Sequence, residues 1–197
     1  MSDSFLSILR LAELYSALAR NCIEKRNALS ARQNHRIAAH LWEWLEDEAP
    51  SPELKERTMT SYAALGLDCE VLEENGTAKK YYLQALHLCF ELEETTEGWN
   101  IKRNLCDMHQ RLGRVCLKLG NPREGENWLL EGMARCKDLC RKSGQAVDMR
   151  RLAMAYQMLG RAYDAQGQRL LAGRYREMSR MTRRNMRRLA DKGKNDK

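Results

Sequence analysis

Apolar residues recur along this chain at spacings of three and four, the period of an amphipathic α-helix. In residues 111–132, RLGRVCLKLGNPREGENWLLEG, one such face is Leu112, Val115, Cys116 and Leu119, and Leu129, Leu130 and Met133 continue it. No stretch shows the strict apolar–polar alternation of a half-buried strand. Asn75-Gly76, Gly120-Asn121-Pro122 and Gly167 read as tight turns between helical segments. Pro122 suits a first helical turn, where its missing N–H is not needed. The pattern predicts helices over about 4–27, 28–46, 53–73, 77–94, 98–119, 122–142, 146–166 and 168–190.

The glycines conflict with this reading, because Gly in a helix interior costs roughly 1 kcal/mol against Ala. A repeat resolves the conflict. Leu65-Gly66, Leu112-Gly113 and Leu159-Gly160 are each 47 residues apart, and one step back lies Leu18-Ala19. Three residues before each Leu are Tyr15, Tyr62, His109 and Tyr156. Twelve residues after each small residue are Ala31, Ala78, Gly125 and Ala172, and seven further on are Ala38, Ala85, Gly132 and Ser179. Two helices that cross closely need small residues where their backbones meet. Gly113, Gly125 and Gly132 are read as such crossings, and Gly120 as a helix end.

An aromatic, an L-G pair three residues on, and small residues on a second helix resemble the tetratricopeptide repeat. The likeness runs over roughly 8–185, in units 4–50, 51–97, 98–145 and 146–190, with the first degenerate. The step exceeds the usual 34 residues, and long-helix variants near 40 residues are found in kinesin light chains and spindle-orientation adaptors. The resemblance implies one all-α domain over 1–190, a right-handed superhelical solenoid of four antiparallel helix pairs, about eight helices, followed by a disordered basic tail at 191–197. It also implies a groove lined by the first helix of each pair. Carried over position by position, the residue after the Gly is Arg20, Leu67, Arg114 or Arg161. The residue after the aromatic is Ser16, Ala63, Gln110 or Gln157, and the next is Ala17, Ala64, Arg111 or Met158. Arg20, Arg111, Arg114 and Arg161, with Lys118 one turn beyond Arg114, are expected to meet carboxylates, which guanidinium groups bind in bidentate fashion. Gln110 and Gln157 are expected on a peptide backbone. The Lys/Asn carboxylate clamp of the chaperone-binding members is absent.

Composition agrees with helix: 43% of the 197 residues are hydrophobic, only three are proline, and Ala, Leu, Glu, Arg and Met dominate. Charge adds an asymmetry. Residues 1–99 carry 10 Lys/Arg against 17 Asp/Glu, and residues 100–197 carry 24 against 10. The second half is therefore strongly basic, and its excess gathers in 169–188, RLLAGRYREMSRMTRRNMRR. Leu171, Tyr175, Met178 and Leu189 mark an apolar stripe there. Arg176, Arg180, Arg183, Arg184, Arg187 and Arg188 crowd the other faces as a candidate basic interaction helix. Such a helix suits nucleic-acid phosphates, an acidic membrane surface or an acidic protein. Opposite charges at the two ends also allow head-to-tail self-association.

Catalytic signatures are missing: no HExxH, no GxxxxGK[ST], no GxSxG and no GxGxxG. Cys106, His109, Cys136 and Cys140 form a candidate zinc set, each pair one helical turn apart, and buried thiols at helical spacing explain it without a metal. His35, His40 and His87 read as ordinary helix residues. Trp42, Trp44, Trp99 and Trp128 are expected to pack between units, with Trp44 or Trp99 the alternative exposed anchor. The seven cysteines read as reduced thiols of a cytoplasmic protein, and MSDSFLSILRLAELY is not a secretory signal. The expectation is a non-enzymatic adaptor or scaffold without cofactor or metal. Its partner is a protein or peptide segment, acidic or carboxylate-bearing. The alternative is a nucleic-acid-associated regulator that uses the basic helix.

Overall fold

The computed structural model describes residues 3–195, with side chains through Arg188. They form eight α-helices and no strand: α1 (Asp3–Glu24), α2 (Ala28–Glu48), α3 (Pro52–Val71), α4 (Asn75–Thr95), α5 (Trp99–Lys118), α6 (Pro122–Ser143), α7 (Ala146–Ala165) and α8 (Arg169–Asn195). Consecutive helices pair off as α1/α2, α3/α4, α5/α6 and α7/α8. The second helix of each pair starts 47 residues after the last, at Ala28, Asn75, Pro122 and Arg169. Among the described residues no helix is long and apolar enough to cross a membrane.

The helix ends explain the spacing. At Arg26, Glu73, Gly120 and Gly167 the backbone turns left-handed, with φ of 57°, 60°, 76° and 76°. These four positions are again 47 apart. At each, the next residue's N–H reaches back five residues: Asn27 to Cys22 (2.8 Å), Glu74 to Cys69 (2.8 Å), Asn121 to Cys116 (2.9 Å) and Gln168 to Tyr163 (2.8 Å). This Schellman closure stops the first helix and turns the chain into the second. Glycine holds the left-handed conformation without cost in two pairs, whereas Arg26 and Glu73 bear the Cβ penalty. Glu73→Gly is expected to stabilise by roughly 0.5–1 kcal/mol, read as a raised urea midpoint at unchanged slope.

Pairs are antiparallel, because partner numbers fall as residue numbers rise. Gly113 faces Gly125 and Leu129, and His109 faces Gly132. The register repeats: a Cβ on Gly66 would meet the Tyr82 ring at 2.4 Å, one on Gly113 would meet Leu129 Cγ at 2.4 Å, and one on Gly160 would meet Arg176 Cγ at 3.1 Å. Each partner lies sixteen residues on. Ala31, Ala78, Ala172, Ala38 and Ala85 are fully buried, and Gly125, Gly132 and Ser179 are buried at the equivalent positions.

The chain divides into two compact units, Met1–Glu97 and Gly98–Lys197, parting between the second and third repeats where sequence alone suggests one continuous array. The first unit's core joins Phe5, Ala12, Ala38, Trp42 and Leu45. The second has Leu129, Leu159, Ala162 and Ala172 around Tyr163 and Tyr175, and a smaller cluster of Cys106, Cys136 and Leu139. Two tryptophans depart from expectation. Trp42 is buried, but Trp44 and Trp99 remain exposed. α8 also continues past the expected end at 190, because no proline stops it and Gly193 costs only about 1 kcal/mol. The expected tail is thus helical over 191–195, residues 196–197 lie outside the described residues, and so does the side chain of Leu189.

Candidate interaction site

In the first unit a cleft of about 380 Å³ opens between α1, α2 and α3. Ser16 and Arg20 come from α1, His35 and Trp42 from α2, and Arg57, Thr60 and Ala64 from α3, with Glu53 and Glu56 at the α3 start. Trp42 is anchored: its indole N–H donates to Ser16 Oγ (3.2 Å), whose hydroxyl donates to the Ala12 carbonyl (2.8 Å). The Arg57 guanidinium lies over the indole, 5.8 Å from the ring centroid, where the π face attracts a cation. Ser16, Arg20 and Ala64 are the groove positions expected from the repeat. Trp42 is expected from sequence only as a packing residue, and its pairing with Arg57 is not legible there, because their meeting depends on how α2 packs on α3.

One helical turn along the same seam, from Arg20 to Ile23 and from Ala64 to Leu67, lies a notch of about 260 Å³. Ile23, Leu67 and Val71 line it and are all exposed. The seam therefore passes from a cationic, polar stretch to an apolar one. Beneath it lies a buried pair: His35 Nδ1–H donates to Asp68 Oδ2 at 2.6 Å, His35 lining the cleft and Asp68 the notch. His35, read from sequence as an ordinary helix residue, thus ties α2 to α3. Asp68→Ala strands that donor and is expected to cost about 1–3 kcal/mol in a urea melt.

In the second unit the repeat positions are filled differently. Arg111, Arg114 and Lys118 stand where α3 has Ala64, Leu67 and Val71. The two arginines are half-buried and Lys118 is exposed. Gln110 is corrected. It is 4% exposed, and its amide donates to the Arg151 carbonyl (3.2 Å) and to Cys136 Sγ (3.4 Å). It fastens α5 to α7, and its amide N–H groups are spent inside the fold. Beside it, Arg151 grips Asp107 (2.9 and 3.1 Å), and Arg103 grips Asp148 (2.8 and 3.0 Å). Asp148 is fully buried and also accepts from Ser143 Oγ at 2.6 Å. Burial pushes its pKa up, but the hydrogen bonds from Arg103 and Ser143 and the charges of Arg103 and Arg151 outweigh this. The carboxyl is held below its ordinary value.

Gln157 is likewise engaged, accepting from Arg183 Nη2 of α8. Arg161, one turn beyond, is exposed. Arg176 meets Asp164 at 3.1 Å, Arg180 meets Glu177 at 2.9 Å, and Arg184, Arg187 and Arg188 are exposed. Two residue sets read as separate from sequence, the α7 groove residues and the basic helix, therefore share one surface.

Among the described residues no group of three His, Cys, Asp or Glu is placed to hold a metal ion. His109 is fully buried in the repeat's aromatic position; its Nδ1–H donates to the Leu105 carbonyl at 2.7 Å, its ring meets Trp128 edge-on, and burial pushes its pKa down. The adjacent Cys106 thiol, together with burial, pushes the Cys136 thiol far above its ordinary value, and burial raises Cys140 to about 11. Thiols that stay protonated are poor nucleophiles and poor metal ligands.

No protein-family model matches the chain, and no characterised protein matches it in sequence. Solved structures do match its fold. The apo form of RapI superposes with a TM-score of 0.70 at 14% identity, over 94% of this chain and 58% of RapI. The chain thus spans under two thirds of that protein's length. The DHF58 filament protein follows with a TM-score of 0.53 at 15% identity, over 95% of this chain and 97% of that one. MamA matches with a TM-score of 0.50 at 15% identity, over 87% and 97%. At such identities the likeness establishes a helical-repeat fold.

Proposed function

We propose that the chain is a non-enzymatic adaptor of the tetratricopeptide type, built on a 47-residue repeat, that binds a segment of another protein along its first helices. The observation that carries this reading is the α1–α3 seam. There Arg57 stands over an anchored Trp42 and Arg20 lines the same cleft, one turn from the exposed Ile23, Leu67 and Val71. Such a seam suits an acidic residue beside an apolar one: the guanidinium groups take the carboxylate and the notch takes the side chain. In the second unit Arg111, Arg114 and Lys118 replace the apolar positions, so the corresponding face of α5 suits a more acidic stretch of partner. Arg161 is assigned elsewhere, with α8.

The test starts with proteins retained by the immobilised full chain from host extract and identified by mass spectrometry. Their affinity is then measured for Arg20→Glu and Leu67→Asp, both at exposed positions. Each substitution is expected to weaken the partner by about 10–100-fold, 1.4–2.8 kcal/mol, with circular dichroism unchanged. Undiminished affinity in both variants overturns the seam reading.

A further inference from the structure

The surface shared by α7 and α8 can be mapped from its contacts. Arg183 reaches Gln157, and Arg176 reaches Asp164. Gln157 and Asp164 are seven residues apart, two turns, so they share one face of α7. Arg161 lies between them, four residues after Gln157 and three before Asp164. Arg150, seven before Gln157, extends the row. On α8, Arg180 lies between Arg176 and Arg183, and Arg187 follows four residues later. Six arginines from two helices thus form one face: Arg150, Arg161, Arg176, Arg180, Arg183 and Arg187. All six are exposed. Asp164 and Glu177 are the acids paired there among the described residues, and each engages a single arginine.

We infer that this α7/α8 face binds the phosphate backbone of a nucleic-acid duplex, without reading its sequence. Charge is the first reason. The unit that bears the face carries 24 Lys/Arg against 10 Asp/Glu, and the face concentrates that excess. The second reason is what the face lacks. Protein interfaces centre on a desolvated apolar core with aromatic anchors; here the exposed apolar residue in the α7 row is Met154, between Arg150 and Gln157, and Tyr156, Tyr163 and Tyr175 are buried or half-buried. Interfaces with nucleic acid are more polar and far more positive. Without a stacking aromatic the face is not built for single strands, whose bases need such platforms. Scale agrees as well. From Arg176 to Arg187 the helix rises about 16 Å, a length over which a duplex carries roughly ten phosphates on its two strands. Arginine suits this work better than lysine because its planar fork bridges two phosphate oxygens.

Fluorescence anisotropy of a labelled random-sequence DNA duplex, titrated with the full chain between low and moderate salt, tests the inference. With six phosphate contacts the slope of log K against log salt is expected at about −5, and the variant Arg161→Ala/Arg180→Ala/Arg187→Ala should bind more weakly with a slope of about −3. Helicity and melting should stay unchanged, since these side chains are exposed. Arg10→Ala/Arg36→Ala, in the first unit, should bind like the unmodified chain. Three results overturn the inference: no duplex bound at the lowest salt, a triple variant that binds like the parent, or displacement of the duplex by polyglutamate or anionic vesicles at equal charge concentration. The last would reassign the face to an acidic protein or to a lipid surface. None of these outcomes bears on the α1–α3 seam, which is tested by its own substitutions.

Discussion

Gly113→Leu is expected to lower the stability of the second unit by about 3 kcal/mol, the upper end of overpacking costs. For a chain of this size that is a fall of roughly 6–12 °C in the thermal midpoint. The reason lies across the α5/α6 crossing. A Cβ at residue 113 meets Leu129 Cγ at 2.4 Å and the Gly125 carbonyl at 3.0 Å. Leu129 is itself fully buried, and the carbonyl belongs to a helix backbone, so neither can retreat cheaply. Gly173→Ala serves as the counter-case. Residue 173 lies inside α8 with nothing within 4 Å of a new Cβ. There only helix propensity operates, and the change should stabilise by up to about 1 kcal/mol. Opposite signs for the two substitutions in differential scanning calorimetry would establish that the repeat glycines serve helix approach. A neutral Gly113→Leu would mean that the crossing is misplaced.

Arg103→Met is expected to cost about 3–5 kcal/mol, the usual penalty for removing one partner of a buried ion pair. Asp148 would keep Ser143 and the more distant Arg151, 3.8 Å away, but would lose its bidentate clamp. The pH dependence distinguishes this loss from simple packing damage. In the parent chain the Asp148 carboxyl lies below its unfolded value of about 3.9. Its contribution is therefore complete above pH ~4 and drains away as pH falls through the lower folded value. In Arg103→Met, burial is no longer opposed by Arg103 and the carboxyl pKa should rise above the unfolded one. The variant should then gain stability as pH is lowered from neutral, while the parent does not. Urea denaturation at several pH values measures both curves, and parallel curves would refute the assignment.

The repeat was legible in the sequence because its signal is steric and local. Ala, Gly and Ser recur where helices cross, and turns recur at a constant step. Each helix start from the second onward lies within two residues of expectation. One element of the repeat was hidden. The left-handed turn residue is glycine in the last two pairs but Arg26 and Glu73 in the first two, and neither side chain announces a positive φ. Site residues were legible only where a position implies a direction. Arg20 does line a cleft, because residues on the first helix near the small position face the seam. Gln110 satisfied the same positional rule and is buried, because α7 packs over it and offers the Arg151 carbonyl.

The helical periodicity and the 47-residue step together determined, from sequence alone, an all-α chain of eight helices in pairs, since both arise from contacts within a helix or to its immediate neighbour. Tertiary structure alone decided which polar residues are spent internally. The pairs His35–Asp68, Arg103–Asp148 and Arg151–Asp107 join residues 33, 45 and 44 positions apart. No local pattern marks those partners, because each is chosen by the rotation and rise of one helix against the next. The same geometry set Gln157 against Arg183 and Asp164 against Arg176, so α7 and α8 residues that sequence assigned to two places share one surface.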